Sequence, residues 1–148
     1  MLAGEALAAF QATYARRTVS HDARWISVKL GWLTIPVPNP GHLPEHDLHH
    51  ALLGAPPTLA GEAHVGVFEL RSGCATWLIW FLCVGSVLIG LVQRPRAVLR
   101  WWRAYRGCSS LYDHPEFDRL LAMEVDAVRG IMGIGAPLAV EPHGRARG

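Results

Sequence analysis

Residues 46–62 read HDLHHALLGAPPTLAGE, which predicts two helical segments joined by a short turn. The first segment ends near Gly54, because glycine commonly closes a helix and the Pro-Pro pair that follows cannot continue it. Thr58 is a favourable N-cap for the second segment. Glu62 stands one place beyond the capping-box position, which Gly61 occupies, so helix capping does not explain its charge. The stretch therefore predicts an antiparallel helix pair with a polar corner.

Three polar side chains of the first helix fall on one arc. At about 100° per residue, His46, His50 and Asp47 lie within about 100° of one another, whereas His49 lies on the far side from Asp47. The turn can set Glu62 opposite the arc. Imidazole and carboxylate groups suit zinc, iron or manganese, and a set without thiolates leaves room for water or substrate. Two interpretations stay open from spacing alone: a divalent metal site formed by these residues other than His49, and a hydrated polar corner.

Glu69 is a further candidate, seven residues after Glu62 and on the same helical face. A glutamate inside an apolar face needs a partner or a chemical role. It can act as an acid or base beside the site, or pair with an arginine. His64 is predicted to face away from Glu62. The other lone histidines are predicted to be solvated in loops or caps; they are His21, His42, His114 and His143.

The rest of the chain is predicted to be mainly helical, from alanine-rich, amphipathic and proline-initiated segments. The predicted helices cover residues 3–17, 44–54, 58–73 and 72–93, and two more begin at Pro95 and at Asp113. The helix from Asp113 carries one apolar stripe, formed by Phe117, Leu121, Val125, Val128 and Met132. Residues 25–35 favour a short extended segment, and the prolines of 36–44 predict a loop without regular structure. We expect an all-α domain of about five helices over residues 1–134, one of them very apolar, and a disordered tail over residues 135–148.

The segment 72–93 contains no charged residue and no histidine. As one helix it would extend about 33 Å, which matches the hydrocarbon core of a bilayer. A membrane-inserted or lipid-contacting helix and a buried central helix are both open interpretations. The following helix carries an arginine stripe with apolar residues nearly opposite, which suits an anionic membrane surface or an ordinary solvated face. The stripe consists of Arg96, Arg100 and Arg103, and the opposite residues are Val98, Trp102 and Tyr105.

The length, net charge, cysteine spacing and first residues of the chain disfavour several classes of protein. With 148 residues the chain is long enough for one domain, and its net charge of +2 does not favour a nucleic-acid binder. The three cysteines lack CxxC spacing, so no disulfide framework is predicted. The first residues, MLAGEALAAF, lack a basic start and do not fit a secretory signal. We expect a cytoplasmic protein that is peripheral or single-span at a membrane.

The spacing in HDLHH, eleven residues and then Glu62 resembles the H-D-x-x-H-(eleven)-E motif of the Coq-four family of ubiquinone (coenzyme Q) biosynthesis proteins. GEAHVGVFELRSG is similar to that family's GE…FE…G run, and YDHPEFDRLLAMEVDAVRGIMGI to its closing helix, so the resemblance covers residues 42–134. It implies an α-helical, metal-binding, lipid-associated protein that removes the ring carboxyl of a quinone precursor oxidatively and organises partner enzymes. Glu69 matches the glutamate of the FE pair. By the same match, the metal ligands would be His46, Asp47, His50 and Glu62.

The resemblance implies two alternative functions. The first is a metal-dependent decarboxylase or hydroxylase (a lyase or oxidoreductase) in which zinc, iron or manganese acts on a hydrophobic prenylated ring. The second is a non-catalytic lipid- or quinone-binding accessory or scaffold protein with a structural metal. Either would work at a membrane surface, as a homodimer or within a biosynthetic complex. HDLHH also has the form of a di-iron desaturase box, but such enzymes need several boxes and spans, and this chain has one box and one candidate span.

Overall fold

The computed structural model describes residues 1–14, 24–30, 33–112, 114–136 and 138, and this part of the chain is mostly helical. The all-α prediction is confirmed, with seven helices rather than about five in the described residues, and one small sheet. The helices are α1 (Ala3–Tyr14), α2 (Leu43–Leu53), α3 (Leu59–Ser72), α4 (Trp77–Gln93), α5 (Pro95–Ala104), α6 (Phe117–Leu121) and α7 (Val125–Met132), and the strands are β1 (Trp25–Leu30) and β2 (Leu33–Pro38). His21, Asp113, His143 and most of the predicted tail lie outside the described residues.

The two strands form an antiparallel hairpin, so the extended segment predicted over residues 25–35 continues through the first prolines. The prediction that 36–44 lacks regular structure is wrong for residues 36–38. The Asn39 N–H donates to the Arg24 carbonyl at 3.0 Å, which places Pro36 and Pro38 at the alternate, non-hydrogen-bonded pairs of the ladder. Proline fits such positions because no N–H is needed there.

The corner between α2 and α3 forms as its local sequence predicts. Gly54 ends α2 in the left-handed conformation with φ of 63°, and the Thr58 hydroxyl accepts the Gly61 N–H at 3.2 Å. A Cβ at Gly61 would lie 1.7 Å from the Pro56 carbonyl oxygen, so only glycine fits where the turn folds back on the helix. This tight turn places the first turn of α3 beside α2.

Close backbone approach also holds α4 against α3. A Cβ at Gly66 would lie 2.4 Å from Ser86 Oγ, and one at Gly90 would lie 2.6 Å from the Ala63 Cβ. α3 contacts α2, α4 and α5, and its middle is buried in a core that also takes side chains from α1, α6 and α7. α3 therefore packs directly against three helices, while α6 and α7 contact α1.

The apolar segment is shorter as a helix than predicted. Thr76 caps α4, so the helix begins at Trp77 and has 17 residues. None of the described helices is both long enough and apolar enough to cross a membrane. One face of α4 packs on α3. The opposite face, called here the α4 outer face, has six exposed large apolar residues, which are Trp77, Trp80, Phe81, Leu88, Leu91 and Val92.

The buried face of α5 differs from the predicted one by one residue. Val98 and Tyr105 are buried as expected, but Trp101 fills the core between them and Trp102 is 41% exposed. The Arg71 guanidinium lies 5.0 Å from the centre of the Trp102 ring. Trp102 therefore belongs to the outer surface of α5 and not to its packing face.

The last predicted helix is divided into α6 and α7. Between them Glu124 has extended backbone angles and forms an isolated antiparallel bridge with Leu2. The Ala3 N–H donates to the Met123 carbonyl and the Val125 N–H donates to the Met1 carbonyl. Pairing with the N-terminal residues thus replaces the helical hydrogen bonds at the break. The predicted apolar stripe still packs on the core from both pieces.

Candidate metal centre

Helices α2 and α3 bring three of the predicted ligands together. One ligand atom from each of His46, His50 and Glu62 lies within 4.8 Å of the others. The two Nε2 atoms are 3.2 Å apart. The Glu62 carboxylate oxygens lie 3.5 Å from His46 Nε2 and 3.4 Å from His50 Nε2. The three groups therefore face one small volume at the corner.

In His46 and His50, the hydrogen bond at Nδ1 determines which ring nitrogen carries the proton. His50 Nδ1 lies 2.9 Å from the Ala55 carbonyl oxygen, and His46 Nδ1 lies 2.9 Å from Glu69 Oε1. A carbonyl and a carboxylate only accept hydrogen bonds, so each Nδ1 carries the proton. The two Nε2 atoms then face each other, and a cation between or beside them, a proton or a metal ion, would offset the repulsion of their lone pairs.

Protonation supplies that cation when no metal is bound. Burial alone would lower the pKa of His46, but the Glu69 and Glu62 carboxylates outweigh it and raise this pKa well above its usual range. Burial acts to raise the pKa of Glu62, yet His50 and His46 hold it below its usual range. Glu62 is therefore ionised, and the corner favours a positive charge at the point where the three groups meet.

Asp47 is not part of this group. Its buried side chain turns toward α1, where its carboxylate accepts a hydrogen bond from Gln11 Nε2 at 3.0 Å. The Phe10 ring of the same helix stacks on His50 at 5.3 Å between ring centres. Helix α1 therefore orients both α2 residues, and the structure does not bring Asp47 together with the other predicted ligands.

Glu69 is fully buried and accepts four hydrogen bonds. Oε1 accepts from His46 Nδ1 at 2.9 Å, from His49 Nδ1 at 2.7 Å and from the Tyr112 hydroxyl at 2.7 Å, and Oε2 accepts from Cys83 Sγ at 3.0 Å. Burial would raise the pKa of Glu69, but His46 and His49 hold it well below its usual range. Glu69 thus lies beside His46, and its hydrogen-bond partners among the described residues are these four side chains and not an arginine.

His49 lies outside the ligand group, as the helical angles of α2 predict, but it also makes hydrogen bonds in the core. It is fully buried, and its Nε2 accepts the Leu111 N–H at 3.2 Å while its Nδ1–H donates to Glu69. Because both nitrogens are used, His49 has no lone pair left for a metal. It connects α2 to the segment between α5 and α6, which supplies Tyr112. No signal in the sequence pointed to Tyr112.

His64 lies in the core. Its ring stacks on Trp101 with 4.3 Å between centres, and its Nε2 bonds the Tyr105 hydroxyl. Burial lowers its pKa to about 3, so it is neutral at physiological pH. This buried position agrees with the prediction that His64 faces away from Glu62.

No protein-family model matches this chain, and the searches of curated proteins and of solved structures found no match either. The resemblance to the Coq-four family therefore stays a prediction.

Proposed function

We propose that this protein binds one divalent metal ion through His46 Nε2, His50 Nε2 and the Glu62 carboxylate. The observation that carries the proposal is the pair of Nε2 atoms 3.2 Å apart beside the Glu62 carboxylate, with both Nδ1 atoms bonded to acceptors elsewhere. Two nitrogens bound at about 2.0–2.1 Å to one tetrahedral zinc ion are about 3.3 Å apart. The residues present therefore fit a metal in both chemistry and spacing.

The ligand set favours a site that keeps a position for another molecule. Two imidazoles and one carboxylate suit zinc, iron or manganese. Three protein ligands are typical of catalytic metal sites, in which a bound ion polarises a substrate oxygen or takes part in oxidation. Together with the motif resemblance, this supports action on a hydrophobic ring precursor of ubiquinone or a related prenylquinone, by oxidative decarboxylation or hydroxylation.

The chain's own residues prepare the site in defined ways. Glu69 and the Ala55 carbonyl each hold one Nδ1–H, which orients the two imidazoles and makes their Nε2 atoms better donors to a metal. The His50 side chain is 1% exposed, whereas the Glu62 side chain is 37% exposed. The open side of the site is therefore at Glu62, where a substrate would approach.

Metal analysis of purified protein tests the proposal. We expect about one equivalent of metal per chain, and Glu62→Ala should lose at least about tenfold in zinc affinity because a ligand is removed. Glu116→Ala is the matched control, since Glu116 is exposed and pairs only with Arg119 among the described residues. No stoichiometric metal, with an unchanged melting temperature after chelation, would show that metal binding is wrong. Turnover of a prenylated aromatic acid by metal-free protein would show that the catalytic interpretation is wrong.

A specific observation favours the second candidate, a lipid- or quinone-binding accessory protein with a structural metal. The α4 outer face exposes large apolar side chains, with Trp77 at 79% and Val92 at 86% exposure. Leu99 of α5 is also exposed, and in the described part of the chain the stripe arginines have no carboxylate within ion-pair distance. Exposed apolar side chains, together with arginines that form no ion pair among the described residues, suit the surface of an anionic membrane. The stripe arginines are Arg96, Arg100 and Arg103.

Vesicle binding tests this second candidate. Each arginine near an anionic surface contributes about 1 kcal/mol, so reversing all three charges should weaken binding to phosphatidylglycerol-containing vesicles by about a hundredfold or more at low salt. Arg119→Glu serves as the control outside the stripe. Equal binding of the wild-type chain to anionic and neutral vesicles would contradict the proposed role of the stripe.

A further inference from the structure

The two outer edges of the β1–β2 hairpin present different backbone groups. Pro36 and Pro38 lie at non-hydrogen-bonded pairs, opposite Ser27 and Trp25, so the backbone N and C=O of these positions face away from the partner strand. On β2, the two prolines have no N–H to offer there. On β1, Trp25 and Ser27 offer both N–H and C=O, and no strand lies beside them in the described part of the chain. β1 is therefore an open edge and β2 is a blocked one.

This difference indicates that the β1 edge is used for pairing. Proteins commonly block an unused sheet edge, and proline is one of the usual means. Here both prolines of the hairpin lie on one edge, and Trp25–Leu30 contains none. Among the described residues the two strands contact chiefly each other. A two-stranded sheet alone is only marginally stable in water, so a further strand on the open edge would stabilise the hairpin.

We propose that β1 pairs antiparallel with β1 of a second copy of this chain, which joins the two hairpins into one four-stranded sheet. Lys29, opposite Thr34, continues the outward-facing positions of β1. With Ser27 opposite Ser27 of the second copy, Trp25 stands opposite Lys29, and each outward N–H meets a C=O. The same edge supplies both sides of the contact, as a twofold interface requires.

The blocked edge favours a second copy over a strand of another protein. In the four-stranded sheet both outer strands are β2, whose prolines stop the addition of further strands, so the assembly closes at a dimer. A strand from another protein would bring an outer edge of its own. Trp25 is 58% exposed and Ser27 is also exposed, so the β1 edge is accessible to a second copy. The hairpin contributes none of the candidate ligands, and the pairing is therefore independent of metal binding.

Sedimentation velocity of the purified full chain tests the pairing. We expect a mass of about twice 16.2 kDa at the higher concentrations. Ser27→Pro removes an outward N–H without removing a hydrogen bond inside the hairpin. It should raise the dissociation constant of the dimer by at least about tenfold, because each chain loses one hydrogen bond at the twofold axis. Thr34→Pro is the matched control, since its N–H faces outward on the blocked edge, and it should leave the dissociation constant unchanged.

Cross-linking gives a second measurement that does not require proline to be tolerated in β1. The register brings the two copies of residue 27 within the distance that a disulfide spans, so mild oxidation of Ser27→Cys should link two chains through this position. Thr34→Cys is the control and should give no link through residue 34. Peptide mass spectrometry distinguishes these links from any formed by the native cysteines.

Several outcomes would overturn the proposal. The first is a wild-type chain that stays monomeric up to about 0.1 mM. The second is folded Ser27→Pro that dimerises as tightly as the wild type, and if Trp80→Glu then dissociates the dimer, the contact lies on the α4 outer face. A mass that rises beyond the dimer would contradict closure by the prolines. Equal cross-linking of Ser27→Cys and Thr34→Cys would contradict the register.

Discussion

Replacing Glu69 by glutamine separates the role of its charge from that of its shape. Glutamine can keep a carbonyl oxygen at the position of Oε1, where three donors converge, and its amide group would face Cys83. Alanine would instead leave all four donors, which are buried or partly buried, without an acceptor, at about 1–3 kcal/mol each. That cost approaches the whole stability of a small domain, about 5–15 kcal/mol. Glu69→Gln is therefore the informative variant.

The expected effect of Glu69→Gln follows from the three bonds on Oε1. A hydrogen bond to a charged group contributes about 1.5–3 kcal/mol and a neutral one about 0.5–1.5 kcal/mol, so each bond weakens by about 1 kcal/mol. Removing the buried charge also recovers several kcal/mol of desolvation cost, so the free energy of unfolding should change little. The weaker bond to His46 acts directly on a ligand, and zinc affinity should fall by about tenfold, equivalent to about 1.4 kcal/mol.

Competition between the protein and a chromophoric chelator measures the zinc affinity, and urea denaturation of metal-free protein measures stability. Glu116→Gln, at an exposed site, controls for the loss of one negative charge. Zinc affinity of Glu69→Gln within twofold of the wild type would refute the reasoning. A large loss of stability in the metal-free protein would show that the charge of Glu69 serves the fold and not the metal.

Three further predictions concern the corner and its surroundings. Because the folded-state pKa of His46 lies above its unfolded value of about 6.5, its protonation stabilises the metal-free fold fully below that pH. The free energy of unfolding from urea titrations should therefore fall as the pH rises through the folded-state pKa. Gly61→Ala should lose at least about 2 kcal/mol by thermal denaturation, since its Cβ would overlap the Pro56 carbonyl. Asp47→Asn should keep its zinc affinity within about twofold, because Asp47 bonds Gln11 and not the ligand group; a tenfold loss would restore Asp47 as a ligand.

The predictions that succeeded depend on residues close together in the chain. Gly54 and the Thr58 cap define the ends of α2 and α3 through hydrogen bonds within a few residues, so the turn and the position of Glu62 follow from local sequence. The spacing of His46 and His50 on one helical face is also local. Local sequence therefore indicates the position of the candidate site without any tertiary contact.

The contacts that local sequence could not predict depend on partners far away in the chain. Helical angles place Asp47 near His46, but they do not show that Gln11 of α1 binds its carboxylate. They also place His49 outside the arc without showing that Glu69 and Leu111 occupy both its nitrogens. The break between α6 and α7 likewise arises from pairing with residues 1–3, more than a hundred positions away. Side-chain pattern along one segment carries no information on such contacts.

The unequal exposure of the three candidate ligands has a consequence for the kinetics of ion exchange. The His50 side chain is almost fully enclosed and that of His46 is 27% exposed, while Glu62 has the most exposed side chain of the three. An ion would therefore leave by detaching first from the carboxylate, with both imidazoles still held by their Nδ1 bonds. Since those bonds exist before an ion arrives, loading requires little rearrangement of α2. Exchange with the surrounding solution should be fast and should not require the fold to open.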